Sequence, residues 1–283
     1  MATEPKKSSF TADVVAHRRT FTDIELSREI YEIIKRNMTS AEIARVESAG
    51  LEMTPFFEAR YLLADEVLDH SGVVQVLELA SGLCPRGMIR TRHNPQIHYV
   101  EMDLPEKIEL KKQIVEDFVS REILSKKSNL RLIGGNALNG DDLAAAVEGL
   151  PIQPLAILCE GLLRYLSLED QRHLIRNLHD ILSRFGGVLI TPDIETLDRI
   201  NSDPLEQQRY ELSVKRLGFD VRDNLLKTID DARGFYRELG FTISEHELIE
   251  VSDRLVSPKR LGISADEVCR VLSDRPLFVL KPK

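Results

Sequence analysis

Arg60, Glu78, Gly82, Asp103 and Glu160 are the residues whose types and spacing can do chemistry together. Glu78 and Gly82 stand in VLELASG, where an apolar run (Val73, Val74, Val76, Leu77, Leu79) ends in the small-residue turn Ala80-Ser81-Gly82. Asp103 closes a second run, Ile97 to Met102, about twenty residues further on. Between them Cys84-Pro85 opens a helix. A strand, a tight turn, a helix and a second strand carrying a carboxylate form a unit that holds an adenosine-containing cofactor at the carboxyl ends of its strands. The glycine admits close approach to the backbone, and the acid accepts from the ribose hydroxyls.

The glycine count separates two cofactor classes. A dinucleotide site wants G-x-G-x-x-G, because a pyrophosphate must reach a helix N-terminus. The matching positions here read Glu78, Ala80 and Gly82, so only the last keeps a glycine. S-adenosylmethionine carries no phosphate and needs fewer bare amides, and the pattern favours it. An ordinary strand-turn-helix without a ligand has the same outline.

The elements that must position these residues alternate in period. Strands are expected at Val74 to Leu79, Ile97 to Met102, Asn129 to Ile133, Leu155 to Cys159, Gly187 to Thr191, Phe241 to Ile249 and Pro276 to Leu280, with helices between them. Such alternation predicts an α/β, Rossmann-like fold with a seven-stranded, mostly parallel sheet. Residues 1 to about 20 read as a polar arm, and Asp23 to His70 as helical, with Ile30, Ile33 and Ile34 on one face. Residues 1–70 therefore make an arm and helical cap, and 71–283 a cofactor-binding domain. Ile194 to Thr228 breaks the alternation and reads as a helical insertion after strand five, over the substrate pocket. The helix after Tyr165 starts at Ser167 with Asp170 three residues on, carries the stripe Leu174, Ile175, Leu178, Ile181 and Leu182, and stops at Gly186-Gly187. His173 and His179 on it read as surface residues.

Composition narrows the function classes. Of 283 residues, 42% are hydrophobic, enough for a sizeable core, and 30% are charged. The net charge of −8, with no basic run, argues against a nucleic-acid partner. Cys84, Cys159 and Cys269 lie far apart and suggest neither a disulfide framework nor a metal site. No apolar run approaches membrane-spanning length, and MATEPKKSSFTADVV lacks the apolar core of a signal peptide, so a cytoplasmic protein is expected.

Taken in order and spacing, EARYLLADE (58–66), Leu77 to Gly82, EMDLP (101–105) and EGLLRYL (160–166) resemble the leucine carboxyl methyltransferase family, which includes the tetracenomycin-type polyketide O-methyltransferases. The resemblance spans roughly Phe56 to Pro192 and implies an S-adenosylmethionine-dependent methyltransferase. It implies that Arg60 holds the cofactor carboxylate, for which a planar guanidinium is suited. It also implies that Glu160 meets the ammonium, shared with the backbone from Glu78 through Ala80 to Gly82. Where the family has an aspartate and an apolar residue facing the adenine, this chain has Asn136-Ala137; the amide oxygen still accepts but brings no charge. Tyr165 matches a family tyrosine, and Arg164 stands where relatives often carry an apolar residue, so these two are the candidates for acceptor contact. Packing explains Tyr165 as well as substrate contact does, and solvent can take Arg164.

The leading expectation is methyl transfer to a hydroxyl or carboxylate of a small metabolite, polyketide-like or a carboxylic acid. Protein C-terminal carboxyl methylation, an NAD-dependent oxidoreductase and a non-catalytic cofactor-binding module are the alternatives. The acceptor, the use of a general base and the oligomeric state are not written in the motifs.

Overall fold

The computed structural model describes residues 5–202, 204–217 and 220–283. Its centre is a seven-stranded sheet in the order β3-β2-β1-β4-β5-β7-β6. The strands are β1 (Gln75–Leu79), β2 (His98–Asp103), β3 (Leu130–Gly134), β4 (Leu155–Cys159), β5 (Gly187–Thr191), β6 (Phe241–Glu247) and β7 (Pro276–Pro282). The first five pair in parallel, whereas β7 runs antiparallel to both β5 and β6. The order reverses between β1 and β4, and a cleft at that switch point is where open α/β sheets bind ligands. The expected boundaries of β4 and β5 match those observed. The other strands shift by one to a few residues at their ends, where pairing rather than local pattern sets the limit.

Side chains alternate across each strand, and this sorts the sheet into two faces. Leu77, Leu79, Val100, Met102, Ile157 and Cys159 face one core, with α8 (Leu168–Phe185) and α11 (Ile229–Glu238) packed on it. Val76, Tyr99, Ala156 and Leu158 face the other, against α4 (Thr54–Ser71) and α13 (Ala265–Leu272). The same alternation puts Glu78, Glu101 and Glu160 on this second side. A third core joins α1 (Pro5–Arg19), α2 (Ser27–Lys35) and α3 (Ser40–Glu47) to α5 (Arg86–His93) and α6 (Pro105–Ser120) through Val14, Ile30, Ile34, Met88, Ile114 and Phe118.

Some expectations need correction. The stretch read as a polar arm is helical from Pro5 to Arg19, with Val14 and Ala16 through Arg19 buried; its first four residues lie outside the described part. Charged residues hid this helix, because His17, Arg18 and Arg19 carry no apolar signal yet are buried. Between β6 and β7 the chain forms a 3-10 segment (Leu248–Arg254), α12 (Ser257–Leu261) and α13, none of which was expected. His173 is exposed, as expected, whereas His179 is half-buried, its ring edge-on against Phe241 with centroids 5.0 Å apart. The break at 194–228 contains α9 (Leu197–Asn201), α10 (Pro204–Leu217) and a 3-10 turn at Arg222–Asn224. At the end of α8, Gly186 and Gly187 both have positive φ, and a Cβ on Gly187 would run into the Leu155 carbonyl oxygen.

Candidate functional site

The turn after β1 sets the floor of the cleft. Ala80 and Gly82 both adopt left-handed backbone, φ 50° and 48°. Ala80 thus takes the conformation that glycine adopts most cheaply, a departure kept where surrounding structure over-determines it. The Gly82 amide donates to Asp103 Oδ2 at 2.7 Å, and the Leu104 amide to Asp103 Oδ1 at 2.7 Å. Two backbone bonds fix the carboxylate and leave each oxygen a further lone pair. A Cβ on Gly82 has room, its nearest neighbour being Ala12 of α1 at 3.9 Å, so the backbone conformation is the constraint. Gly82→Ala is therefore expected to lower stability by about 1–2 kcal/mol, whereas Ala80→Gly is expected to cost nothing; urea denaturation of both variants checks this.

Glu78 lies deeper than the sequence suggested. It is fully enclosed, with Oε1 accepting from Arg86 Nη1 at 2.6 Å and Oε2 from the Tyr99 hydroxyl at 2.7 Å. Arg86 is the hub of the site. Its Nε donates to Asp65 at 2.9 Å and its Nη2 to Glu160 Oε2 at 3.0 Å, while its guanidinium lies 4.4 Å from the centre of the Tyr61 ring. Burial alone would raise the Glu160 pKa, but Arg86, Arg60 and Arg19 outweigh it and hold the carboxyl below its usual range.

Arg60, on α4, reaches across the cleft. Its Nη2 donates to Asp193 Oδ1 at 2.7 Å, and its Nε stands 3.7 Å from Glu160 Oε1. Asp193 follows β5 and also gathers the amides of Gly161, Leu162 and Leu163 at 2.8, 2.7 and 3.1 Å. Arg19, from the last turn of α1, is buried beside the same group, its guanidinium 5.9 Å from the Tyr61 ring centre. The Nε atoms of Arg19 and Arg60 are buried and have no hydrogen-bond acceptor among the described residues. Sequence reasoning missed Arg19, Arg86 and Asp193; only Asp193 left a signal, an acid just past a strand end.

The remaining candidates stand further out. Asn136 is exposed, its side-chain oxygen accepting from the Leu138 backbone N–H at 3.0 Å and its backbone N–H donating to Asp142 Oδ2 at 2.8 Å. Ala137 packs on the first core. Arg164 is half-buried, with Nη2 3.5 Å from Glu195, and lines a small hollow with Leu163, Asp193, Asn224 and Tyr236. Tyr165 packs against Ile200, Tyr210 and Leu225 of the segment after β5. Burial pushes the Cys84 thiol, with Glu78 adding, up to about 12, and raises Tyr61 and Cys159 as well. These groups stay protonated at neutral pH and offer no base.

With this geometry in place, the comparison with known proteins is decisive at the family level. The leucine carboxyl methyltransferase family model matches residues 11–179, more than half of the chain. The chain belongs to the leucine carboxyl methyltransferase family. No curated protein matches this family member in sequence. Among solved structures, a DUF574 family protein from Streptomyces avermitilis gives a TM-score of 0.58 at 14% identity, over 96% of this chain and 97% of that one, a likeness of fold. An O-methyltransferase family protein from Burkholderia thailandensis gives 0.47 at 14% identity, over 85% of this chain and 61% of that one. PigF with SAH gives 0.49 at 16% identity, over 82% and 60%. The methyltransferase-family chain thus spans about three-fifths of the length of these two proteins. No helix among its described residues is long and apolar enough to cross a membrane.

Proposed function

We propose that this chain transfers a methyl group from S-adenosylmethionine to an oxygen of a small-molecule acceptor. One observation carries the reading: two buried guanidinium Nε–H groups, on Arg19 and Arg60, lack acceptors among the described residues beside an ionised Glu160, at the point where the sheet order reverses. A buried donor left unpaired costs about 1–3 kcal/mol, so a site that orphans two of them is built for an anion. An amino-acid head group supplies it: its carboxylate takes the Arg60 and Arg19 donors, and its ammonium donates to Glu160. Asp103, held by the Gly82 and Leu104 amides, accepts from the ribose hydroxyls with its free lone pairs. The adenine lies toward Asn136 and Ala137.

Bound there, S-adenosylmethionine supplies an electrophilic methyl on a sulfonium that is already an excellent leaving group. The chain's residues then have to hold, align and keep water out, which is where most of the rate comes from in such a transfer. Arg86 does this indirectly, by fixing Glu160 and Glu78 in place. Arg60, Arg19, Glu160 and Asp103 would hold the donor, which would supply its methyl group to an acceptor oxygen and keep the bonding pair on its sulfur. Because burial keeps the thiols and Tyr61 protonated, the acceptor oxygen is best one that arrives already ionised, a carboxylate or an acidic phenol.

Calorimetric titration with S-adenosylmethionine, S-adenosylhomocysteine and NAD tests the reading. The first two are expected to bind and NAD is not; binding of NAD alone overturns it. Asp103→Ala is expected to weaken S-adenosylhomocysteine by about 1–3 kcal/mol, and an unchanged affinity removes Asp103 from the site.

A further inference from the structure

Beneath the segment that follows β5, guanidinium groups outnumber carboxylates among the described residues. Glu206, buried on α10, accepts from Arg275 Nη2 at 3.0 Å and Arg209 Nη1 at 2.8 Å, and Arg199 Nη1 stands 3.6 Å away. Glu195 has Arg164 Nη2 at 3.5 Å. Arg199 also gives Nη2 to the Arg270 carbonyl at 3.0 Å. Among the described residues, four guanidinium groups thus face two carboxylates. Among the described residues, the buried Nε atoms of Arg164, Arg199 and Arg275 find no acceptor and Glu195 Oε2 no donor, so these ion pairs are loosely made. Arg275 is 9% exposed, and burial, with Arg199 and Arg164 adding to it, holds its pKa below the ordinary guanidinium value against the pull of Glu195 and Glu206. Buried guanidinium charge that shares its carboxylates in this way is costly and is kept where a further opposite charge completes it.

The location bears on the reaction. Arg275 and Arg60 both lie over Phe56, their guanidinium carbons 4.7 and 5.1 Å from its ring centre. The cluster therefore adjoins the cleft on the side away from Asp103, where an acceptor would stand. Planar guanidinium forks with free Nε–H edges are suited to the paired oxygens of a carboxylate or phosphate.

We propose that Arg164, Arg199 and Arg275 form an anion-binding site that holds a carboxylate or phosphate group of the methyl acceptor next to the transfer centre. The assignment of this anion to the acceptor rests on the methyltransferase reading; the site itself does not.

Titration of the whole chain with benzoate, phenyl phosphate and uncharged benzamide, each with and without S-adenosylhomocysteine, tests it. At least one anion is expected to bind and benzamide is not, and the stronger of the two anions identifies which group the site takes. Arg275→Gln is expected to weaken that anion by about tenfold or more, with S-adenosylhomocysteine affinity unchanged. Glu206→Gln removes the competing carboxylate and is expected to tighten anion binding, an effect that a purely structural cluster would not give. Should Arg275→Gln fail to fold, Arg164→Gln and Glu206→Gln decide the matter. Absence of binding by both anions, equal binding of benzamide, or affinities unmoved by the folded variants overturns the site. Anion binding by a chain that ignores S-adenosylhomocysteine overturns the acceptor assignment and, separately, the proposed function.

Discussion

Replacing Arg86 with methionine is expected to cost about 3–5 kcal/mol, a large part of the stability of an ordinary domain. The side chain is fully buried and donates to Glu78, Glu160 and Asp65 at once. Methionine fills much of the volume, so the loss measures stranded charge rather than a cavity. Glu78 keeps only the Tyr99 hydroxyl, and Glu160 keeps only Arg60 at 3.7 Å and the field of Arg19. Urea unfolding gives the size of the effect, and the source of the loss can be separated. Adding Glu78→Gln to the methionine variant is expected to return part of the stability, because an amide is cheaper to bury than a carboxylate. A double variant no better than the single one would place the loss in packing against Tyr61 instead.

The second large effect concerns the buried pair Glu101–Lys111, which lies under α5 and α6 away from the cleft. Burial, with Glu78 adding to it, pushes the Glu101 carboxyl up to about 7 in spite of Lys111. The folded pKa lies above the ordinary value of 4.5, so between about 4.5 and 7 the folded chain holds a proton that the unfolded chain has released. Stability therefore falls as pH rises through that window. Asp13, raised by burial to about 6 against the pull of Lys107, acts in the same direction at slightly lower pH. Converting the pair together, Glu101→Gln with Lys111→Met, removes the charges from both partners. The double variant is expected to flatten the decline between pH 5 and 7 and to be neutral or more stable by about 1–4 kcal/mol at pH 7. Denaturant midpoints across that pH range check both parts. Lys111→Met alone is expected to destabilise, since it leaves Glu101 enclosed with no cation.

The sheet was legible because its signal is local and apolar. Leu155 to Cys159 and Gly187 to Thr191 read as strands from a few residues each, and they fold as such. Glu160 and Asp103 were legible because an acid that closes an apolar run ends up at the mouth of a parallel sheet. Arg86 was not. It sits two residues past Cys84 in a helix whose polar residues look like a solvated face, and its partner Glu160 is 74 positions away. Arg60 and Asp193 are 133 apart. Charged side chains carry no periodic mark of burial, so a network of them is invisible until the fold assembles it. The same blindness hid α1, whose buried turn consists of His17, Arg18 and Arg19.

Asp193 makes the loops after β4 and β5 a single mechanical part. One carboxylate clasps the amides of Gly161, Leu162 and Leu163 on one loop and Arg60 on a helix, while belonging to the other loop itself. The loops cannot part without leaving that carboxylate stripped of its donors. Glu195, two residues along, is accordingly tied through Asp193 to the backbone beside Glu160, so the two loops share one anchor.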